Sequence, residues 1–573
     1  MEKLFLSQCG ILIQKLEEFK LDIGSKKSIS SLKQDFTNVR KIYRGASVLM
    51  DYFFPYERRF LNPPDLRRTE EDNPGIILEP SGFQVIERLL YSNFSDSSYS
   101  ELQQEISLLL ETVKKIADQP GLTFKFNDAL VFDALKAADI RLVSMGITGF
   151  DSPLALNSLP ESVEVLKGMK DILAEYQDKI PDSLFAAAIA LIDKGCNNLT
   201  AAKDFNSFDR LAFIRAYADP LYAVLVKIIF TNNFQLPEER RPLNQEATSI
   251  FSPRLFDINF FSPNKRYQLT PERIELGKQL FYDSILSPLS GRSCATCHDP
   301  GKAFSDGQKV ALSLDKKTKI KRNTPTLLNA ALQTRYFYDS RTSTLENQLN
   351  SVVHNAEEMG GSLKESIPRL LGNKNYAQLF AKAYKEEMAT EYNVANAISS
   401  YVRTLVQLDS RFDRYMRGDN MALNKNEKNG FNLFAGKAKC ATCHYIPLFN
   451  GLVPPEFVET ESEVIGTPAA ASKKNSLLSE DEGKYLFTRS LVHKHAFKTP
   501  TLRNIALTAP YMHNGVYKTL EEVMDFYNKG GGAALGIAPG NQTLPARPLN
   551  LSKREIRNII SFLGALTDTV TSM

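Results

Sequence analysis

One pentapeptide occurs twice in this chain, as Cys294-Ala-Thr-Cys297-His298 and as Cys440-Ala-Thr-Cys443-His444. Cys-x-x-Cys-His is the attachment signature of c-type haem: two thiols bond the porphyrin and the adjacent imidazole is held under the iron. Two other chemistries use paired cysteines. A zinc site wants four Cys or His ligands with a second pair close by, and neither copy has one. A redox Cys-x-x-Cys does not call for the histidine that directly follows both copies. The motif therefore predicts two covalently bound c-type haems, and the chain must build a pocket around each.

The surroundings of the motif repeat as well. Thr324-Pro-Thr-Leu-Leu-Asn-Ala-Ala-Leu332 recurs as Thr499-Pro-Thr-Leu-Arg-Asn-Ile-Ala-Leu507, an offset of 175. Without a gap, the same offset carries Tyr336 onto Tyr511 and Thr344-Leu-Glu346 onto Thr519-Leu-Glu521. A helix start precedes each motif. Thr270-Pro271 offers an N-cap and a proline at the first helical position, with Ile274, Gly277 and Phe281 on one face. Asn424 has Glu427 as its capping-box partner, followed by Phe431 and Phe434. The expected fold is mostly α: a helical domain over 1–235, a Pro- and Asn-rich linker over 236–264, then two duplicated cytochrome c-type helical haem domains over 265–410 and 411–573.

At 573 residues the chain is too long for one core. Its net charge of +4, with no dense basic run, gives no reason to invoke nucleic acid. No stretch is long and apolar enough to span a membrane. The first residues lack a signal-peptide pattern, because charge returns at Lys15. Covalent haem is installed outside the cytoplasm, so the expected location is the periplasm, or a membrane-anchored position facing it. Cys9 and Cys196 read as buried or free thiols rather than a disulfide framework.

The duplication also asks what lies across each iron. In the second half Tyr527 offers a phenol that can bind iron; the equivalent position in the first half is Val352, which cannot. A closed haem at His444 and an open one at His298 are expected, and an open position is what peroxide needs. Met524 is the rival ligand, and core packing is the plain alternative for Tyr527. An acid–base group over the open iron would move a proton between the peroxide oxygens. Near Val352 the candidates are Gln348, His354, Glu357 and Glu358, and a carboxylate there would have its pKa raised by desolvation. Pattern alone does not separate the two glutamates. For His493 and His495, an ordinary surface or core role is as good a reading as a ligand.

From Leu269 to Leu566 the chain resembles the bacterial di-haem cytochrome c peroxidases. The resemblance rests on Leu276-Gly-Lys-Gln-Leu-Phe281, both haem motifs, Arg322-Asn-Thr-Pro-Thr326, Phe337-Tyr-Asp-Ser-Arg341, Glu358-Met359, Ser410-Arg-Phe-Asp-Arg414, Phe497-Lys-Thr-Pro-Thr501 and Pro510-Tyr-Met-His-Asn-Gly515. It implies that the first haem reduces hydrogen peroxide and the second receives electrons from a small donor protein, a cytochrome c or a cupredoxin. It implies Gln348 and Glu358 as the distal catalytic pair. It also implies a calcium ion held by Asn323 and the backbone oxygens of Thr508 and Pro510, and His513 beside the second haem's propionates. A homodimer is among the assemblies it allows.

Three departures change these expectations. Residues 299–321 contain no histidine, whereas typical members carry one that blocks the resting peroxidatic iron; a site open without prior reduction is expected. Tyr527 stands where the peroxidases have methionine, and tyrosinate lowers the potential that methionine would raise. This is similar to the MauG-type di-haem maturation enzymes, which oxidise a protein substrate through high-valent haem. A protein or small-molecule substrate is thus the alternative to peroxide turnover, and a plain electron-transfer cytochrome the alternative of another class. Third, Tyr338 replaces the tryptophan between the haems.

Before the linker, Arg40-Lys-Ile-Tyr-Arg44, the run to Leu61-Asn-Pro-Pro64 and Gly146-Ile-Thr-Gly-Phe-Asp-Ser-Pro153 resemble imelysin-type helical domains. That family's metal-binding histidine motif is absent, since no histidine precedes His298. A scaffold or docking module is the implied role.

Overall fold

The computed structural model describes all residues except 71–72, 93, 120–124, 288–290, 386–388, 472–475 and 569–573. It is mostly helical, as expected, with two short antiparallel strand pairs: Arg68–Thr69 with Ile77–Leu78, and Ser462–Glu463 with Phe497–Lys498. By packing, the chain forms two compact units. The first comprises residues 1–239, 245–250 and 432–447; the second comprises 240–244, 251–431 and 448–573. No helix of the described residues is long and apolar enough to cross a membrane.

The first unit is a helical bundle. In Glu2–Gly24 the residues Phe5, Cys9, Leu12, Leu16, Phe19 and Ile23 are buried, a three-to-four spacing that presents one apolar face. That helix packs on Ile29–Phe53 and on Asp96–Ala117. The interior also holds charge. Arg40 donates to Glu161, to Asn62 Oδ1 and to the Asp151 carbonyl. Arg141 forms a two-point pair with Asp151 at 2.7 and 2.8 Å, and Arg44 reaches Asp151 at 3.1 Å. Three arginines hold the Asp151 carboxyl below the usual range against the opposing cost of burial. Arg40, Arg44, Asn62 and Asp151 come from the three segments singled out above, and Arg141 and Glu161 join them from outside, so the network ties distant parts of the chain into one geometry.

The second unit carries the duplication into three dimensions. Tyr336 bridges Thr342 in one half, and Tyr511 bridges Tyr517 in the other, at the same offset of 175. Asn329 and Asn504 both adopt left-handed backbone, at φ 59° and 63°. In each half this asparagine's amide N–H and side-chain oxygen grip the end of a later helix. Asn329 N–H donates to Leu405 O and its Oδ1 accepts from Gln407 N–H. Asn504 does the same with Leu566 O and Asp568 N–H. Helix crossings repeat too. A Cβ on Gly277 would lie 1.8 Å from Ala397 O, and one on Gly430 would lie 2.0 Å from Asn558 O. Only glycine lets Pro271–Tyr282 and Lys425–Ala435 approach their partner helices so closely.

Candidate haem site

Both copies of the pentapeptide fold into one tight turn, in which the histidine N–H donates to the first cysteine's carbonyl, His298 to Cys294 and His444 to Cys440, at 3.0 Å in each. In the first copy Ser293 and Thr296 form a capping box around the turn. His298 is held by Nδ1 against Phe304 O at 3.0 Å. A carbonyl only accepts, so Nδ1 carries the proton and Nε2 keeps the lone pair that an iron ligand needs. Burial lowers the pKa of this imidazole, with the Phe304 and Pro325 carbonyls opposing, and so keeps it neutral. Burial also pushes the Cys294 and Cys440 thiols up to about 12. Such thiols are not poised as free thiolates.

No group of three or more His, Cys, Asp or Glu able to hold a metal ion occurs among the described residues, and all six cysteines are outside disulfides. These surroundings suit a porphyrin bonded through Cys294 and Cys297 with iron on His298. The same donor set recurs at Cys440, Cys443 and His444.

The Leu345–His354 helix borders the first site. Thr344 caps it by accepting from Asn347 N–H at 3.2 Å. Its buried Glu346 pairs with buried Arg403 at 2.7 and 2.8 Å and accepts from Asn396 at 2.9 Å. This anchors the helix that presents Gln348 and Val352. Val352 and Leu349 pack against the same apolar cluster as Cys294 and Ala295. In the second half Thr519 caps Leu520–Asn528 in the same way, accepting from Glu522 N–H at 3.2 Å. Val352 and Tyr527 therefore occupy equivalent helix positions. Tyr527 is half-buried, edge-on to Phe526 at 5.5 Å, and Met524 is buried.

The structure separates the two glutamates. Glu357 is exposed and Glu358 is half-buried. Burial raises the Glu358 pKa, opposed by Arg341 and Arg292 and reinforced by Glu357. Among the described residues, neither the Glu358 carboxyl nor the Gln348 amide has a hydrogen-bond partner. The backbone around Glu358 is held firmly, however. Arg292, two residues before Cys294, donates to Glu358 O at 2.8 Å and to Leu312 O and Ser313 O at 3.2 Å each. Ser287 Oγ donates to Met359 O at 3.0 Å. Arg292 was not among the sequence candidates, and its place beside the motif was the one available signal.

Asn323, Tyr338 and His513 come together. Asn323 N–H donates to His513 O at 2.7 Å, and the Tyr338 hydroxyl donates to Asn323 Oδ1 at 3.3 Å. Asn323 Nδ2 donates to Gln308 O at 2.8 Å. His513 is buried, stacked on Phe497 with centroids 3.7 Å apart, with Nε2 at 3.1 Å from Ser479 Oγ. Thr508 and Pro510 lie five and three residues before it, and the Ala509–Pro510 bond between them is cis. No contact among the described residues joins the Asn323 side chain to either. The other histidines make contacts of their own: His354 is exposed on Asn350 O, His493 meets Thr488, and His495 meets Asp481 O.

Residues 271–421 match the family described as di-haem cytochrome c peroxidase. The methylamine utilization protein MauG of Methylorubrum extorquens is 36% identical over 303 residues, which is 53% of this chain and 80% of that protein. The cytochrome-c peroxidase IdrP2 of Denitromonas iodatirespirans is 33% identical, over 52% of this chain and 82% of that one. Among solved structures, a MauG-like protein associated with microbial copper homeostasis is 29% identical, with a TM-score of 0.47, covering 54% of this chain and 92% of that one.

Proposed function

This chain belongs to the di-haem cytochrome c peroxidase family, and from that premise we propose that it reduces hydrogen peroxide at the His298 half, with electrons delivered through the His444 half. It is an oxidoreductase of the peroxidase type. The observation that carries the finer reading is Glu358: a carboxyl without a hydrogen-bond partner among the described residues, its backbone fixed by Arg292 beside the first motif.

Cys294, Cys297 and His298 would hold a haem, which when bound would supply redox-active iron for peroxide reduction. Glu358 takes the proton from the near peroxide oxygen and returns it to the far one, so that oxygen leaves as water. The Gln348 amide donates to the oxygen that remains and orients it. Two protons and two electrons complete the conversion of peroxide to two waters. A small electron-donor protein, a cytochrome c or a cupredoxin, supplies those electrons on the periplasmic side of the membrane. A calcium ion at Asn323, Thr508 and Pro510 would stiffen the loop that ends at His513.

Stopped-flow mixing with peroxide, with and without a reduced donor cytochrome, tests this reading. Rapid turnover with donor is expected. The resting ferric protein is expected to show a high-spin component, because no histidine lies in 299–321; an entirely low-spin spectrum would sink the open-site reading. Tyr527 favours a second reading, in which the oxidising equivalents go to a protein or small-molecule substrate. A long-lived oxidised species that does not turn over with donor would select it.

A further inference from the structure

The two pentapeptides are identical in sequence and differ in surroundings. In the first copy Ala295 is half-buried and Thr296 is exposed. In the second, Ala441 is fully buried and Thr442 is half-buried. The second copy lies in the first compact unit, among helices that precede the linker.

Five contacts within that unit bear on the Cys440–Thr442 turn and its flanks. The π-helical turn Leu142–Gly146 packs directly against it; such turns are rare and recur at functional sites. The loop that follows brings Phe150 edge-on to Tyr445 at 5.9 Å, next to His444. Pro153 O accepts from Lys439 Nζ at 2.9 Å, next to Cys440. Farther along, Asn432 bridges Leu211 N–H and Asp209 Oδ1 at 2.9 and 2.8 Å. Buried Arg210 sits where a Cβ on Gly436 would lie, 2.5 Å from its guanidinium. Between Phe150 and Pro153 stands Asp151, fixed by three arginines. The loop is thus held rigidly from behind.

We propose that the Phe150–Pro153 loop and Arg210 are positioning residues for the second haem, a clamp that closes the outer face of its attachment turn. This rests on the reading that Cys440, Cys443 and His444 carry a haem. The N-terminal helices are then a working wall of that haem's site rather than a module carried beside it. Two consequences follow from the physics of haem potentials, which respond to burial and nearby charge. A dry face and the Lys439 cation both disfavour the extra positive charge of ferric iron, so the clamp raises the second haem's potential. The donor protein must also reach that haem from another side.

The test uses the full-length, doubly haem-loaded protein and its Phe150→Ala, Lys439→Met and Lys439→Arg variants. Spectroelectrochemical titration and electron paramagnetic resonance follow the two haems separately. The expected result is a lowered midpoint potential and altered low-spin signal for one haem in Phe150→Ala and Lys439→Met. The other haem's high-spin signal stays as in the parent, and Lys439→Arg returns towards the parent potential. Unchanged titrations in both variants, or a shift confined to the high-spin haem, overturn the clamp. Should Phe150→Ala fail to accumulate, Lys439→Met decides alone, because it removes the cation while keeping a long side chain at a half-exposed position. Intact mass of the parent gives the haem count. A single haem overturns the reading of His444 and the clamp with it, whereas two haems with no shift overturn the clamp only.

Discussion

Burial holds the imidazole of His513 down at about 4, with Asp481 pulling it up and Arg322 and His495 pushing it further down. A group whose pKa is depressed on folding contributes stability that is present above its unfolded value, about 6.5, and is lost as pH falls through the folded one. Denaturant titrations should therefore show stability falling between about pH 6.5 and 4, by an amount of order a few kcal/mol. His493, also held near 4, adds to the same slope. His513→Gln should flatten part of it. Glu358 works in the opposite sense. Its carboxyl is raised, so its contribution is full at low pH and is lost as pH rises through the raised value. Ionising this carboxyl therefore costs the folded protein stability. Glu358→Gln should match or exceed the parent in stability at pH 7 and slow the peroxide reaction by roughly 10²–10⁴-fold. A variant that reacts at the parental rate would remove Glu358 from the mechanism.

At the scale of elements, a glycine crossing in each half and the buried Glu346–Arg403 pair hold the helices in place. Gly277→Ala and Gly430→Ala each place a methyl against backbone oxygen, at 1.8 and 2.0 Å, and neither carbonyl can turn away without parting two helices. Each should cost about 1–3 kcal/mol in urea denaturation. Arg403→Met leaves Glu346 charged, buried and short of its partner, and should cost about 3–5 kcal/mol. This scale also shows what sequence could reveal. The equivalence of Tyr336 with Tyr511 and of Thr344 with Thr519 is legible because the offset of 175 runs without a gap; that the first pair form bridges and the second pair helix caps is what the structure adds. The helix equivalences were not. Gly277 answers to Gly430 and Ala397 to Asn558 at other offsets, because the connections between them differ in length. Arg292 left no pattern either, since it acts on backbone carbonyls, which any residue supplies. The Asp151 network joins residues more than a hundred positions apart, such as Arg40 and Glu161, and only packing brings them together.

For the whole molecule, the duplication supplies a scaffold with two equal seats, and function depends on making them unequal. One helix position differs in a way that could do this: it carries Val352 in one half and Tyr527 at its equivalent in the other. If Tyr527 ligates the second iron, its phenolate stabilises the ferric state and narrows the potential gap between the halves. Electrons would then linger less on the second haem, and oxidising equivalents would be shared more evenly between the two. Tyr527→Met should therefore raise one midpoint potential, leave the other unchanged, and favour turnover with a donor cytochrome over persistence of the oxidised protein. Tyr527→Val should instead make the second half resemble the first, adding a second high-spin signal in the resting ferric spectrum. If both variants keep the parental spectrum and potentials, Tyr527 is a packing residue of the Tyr511–Phe526 cluster. Met524, buried on the same helix, would become the residue to replace next, because a loss of low-spin signal on Met524→Val would then identify the ligand by elimination within nine residues of chain.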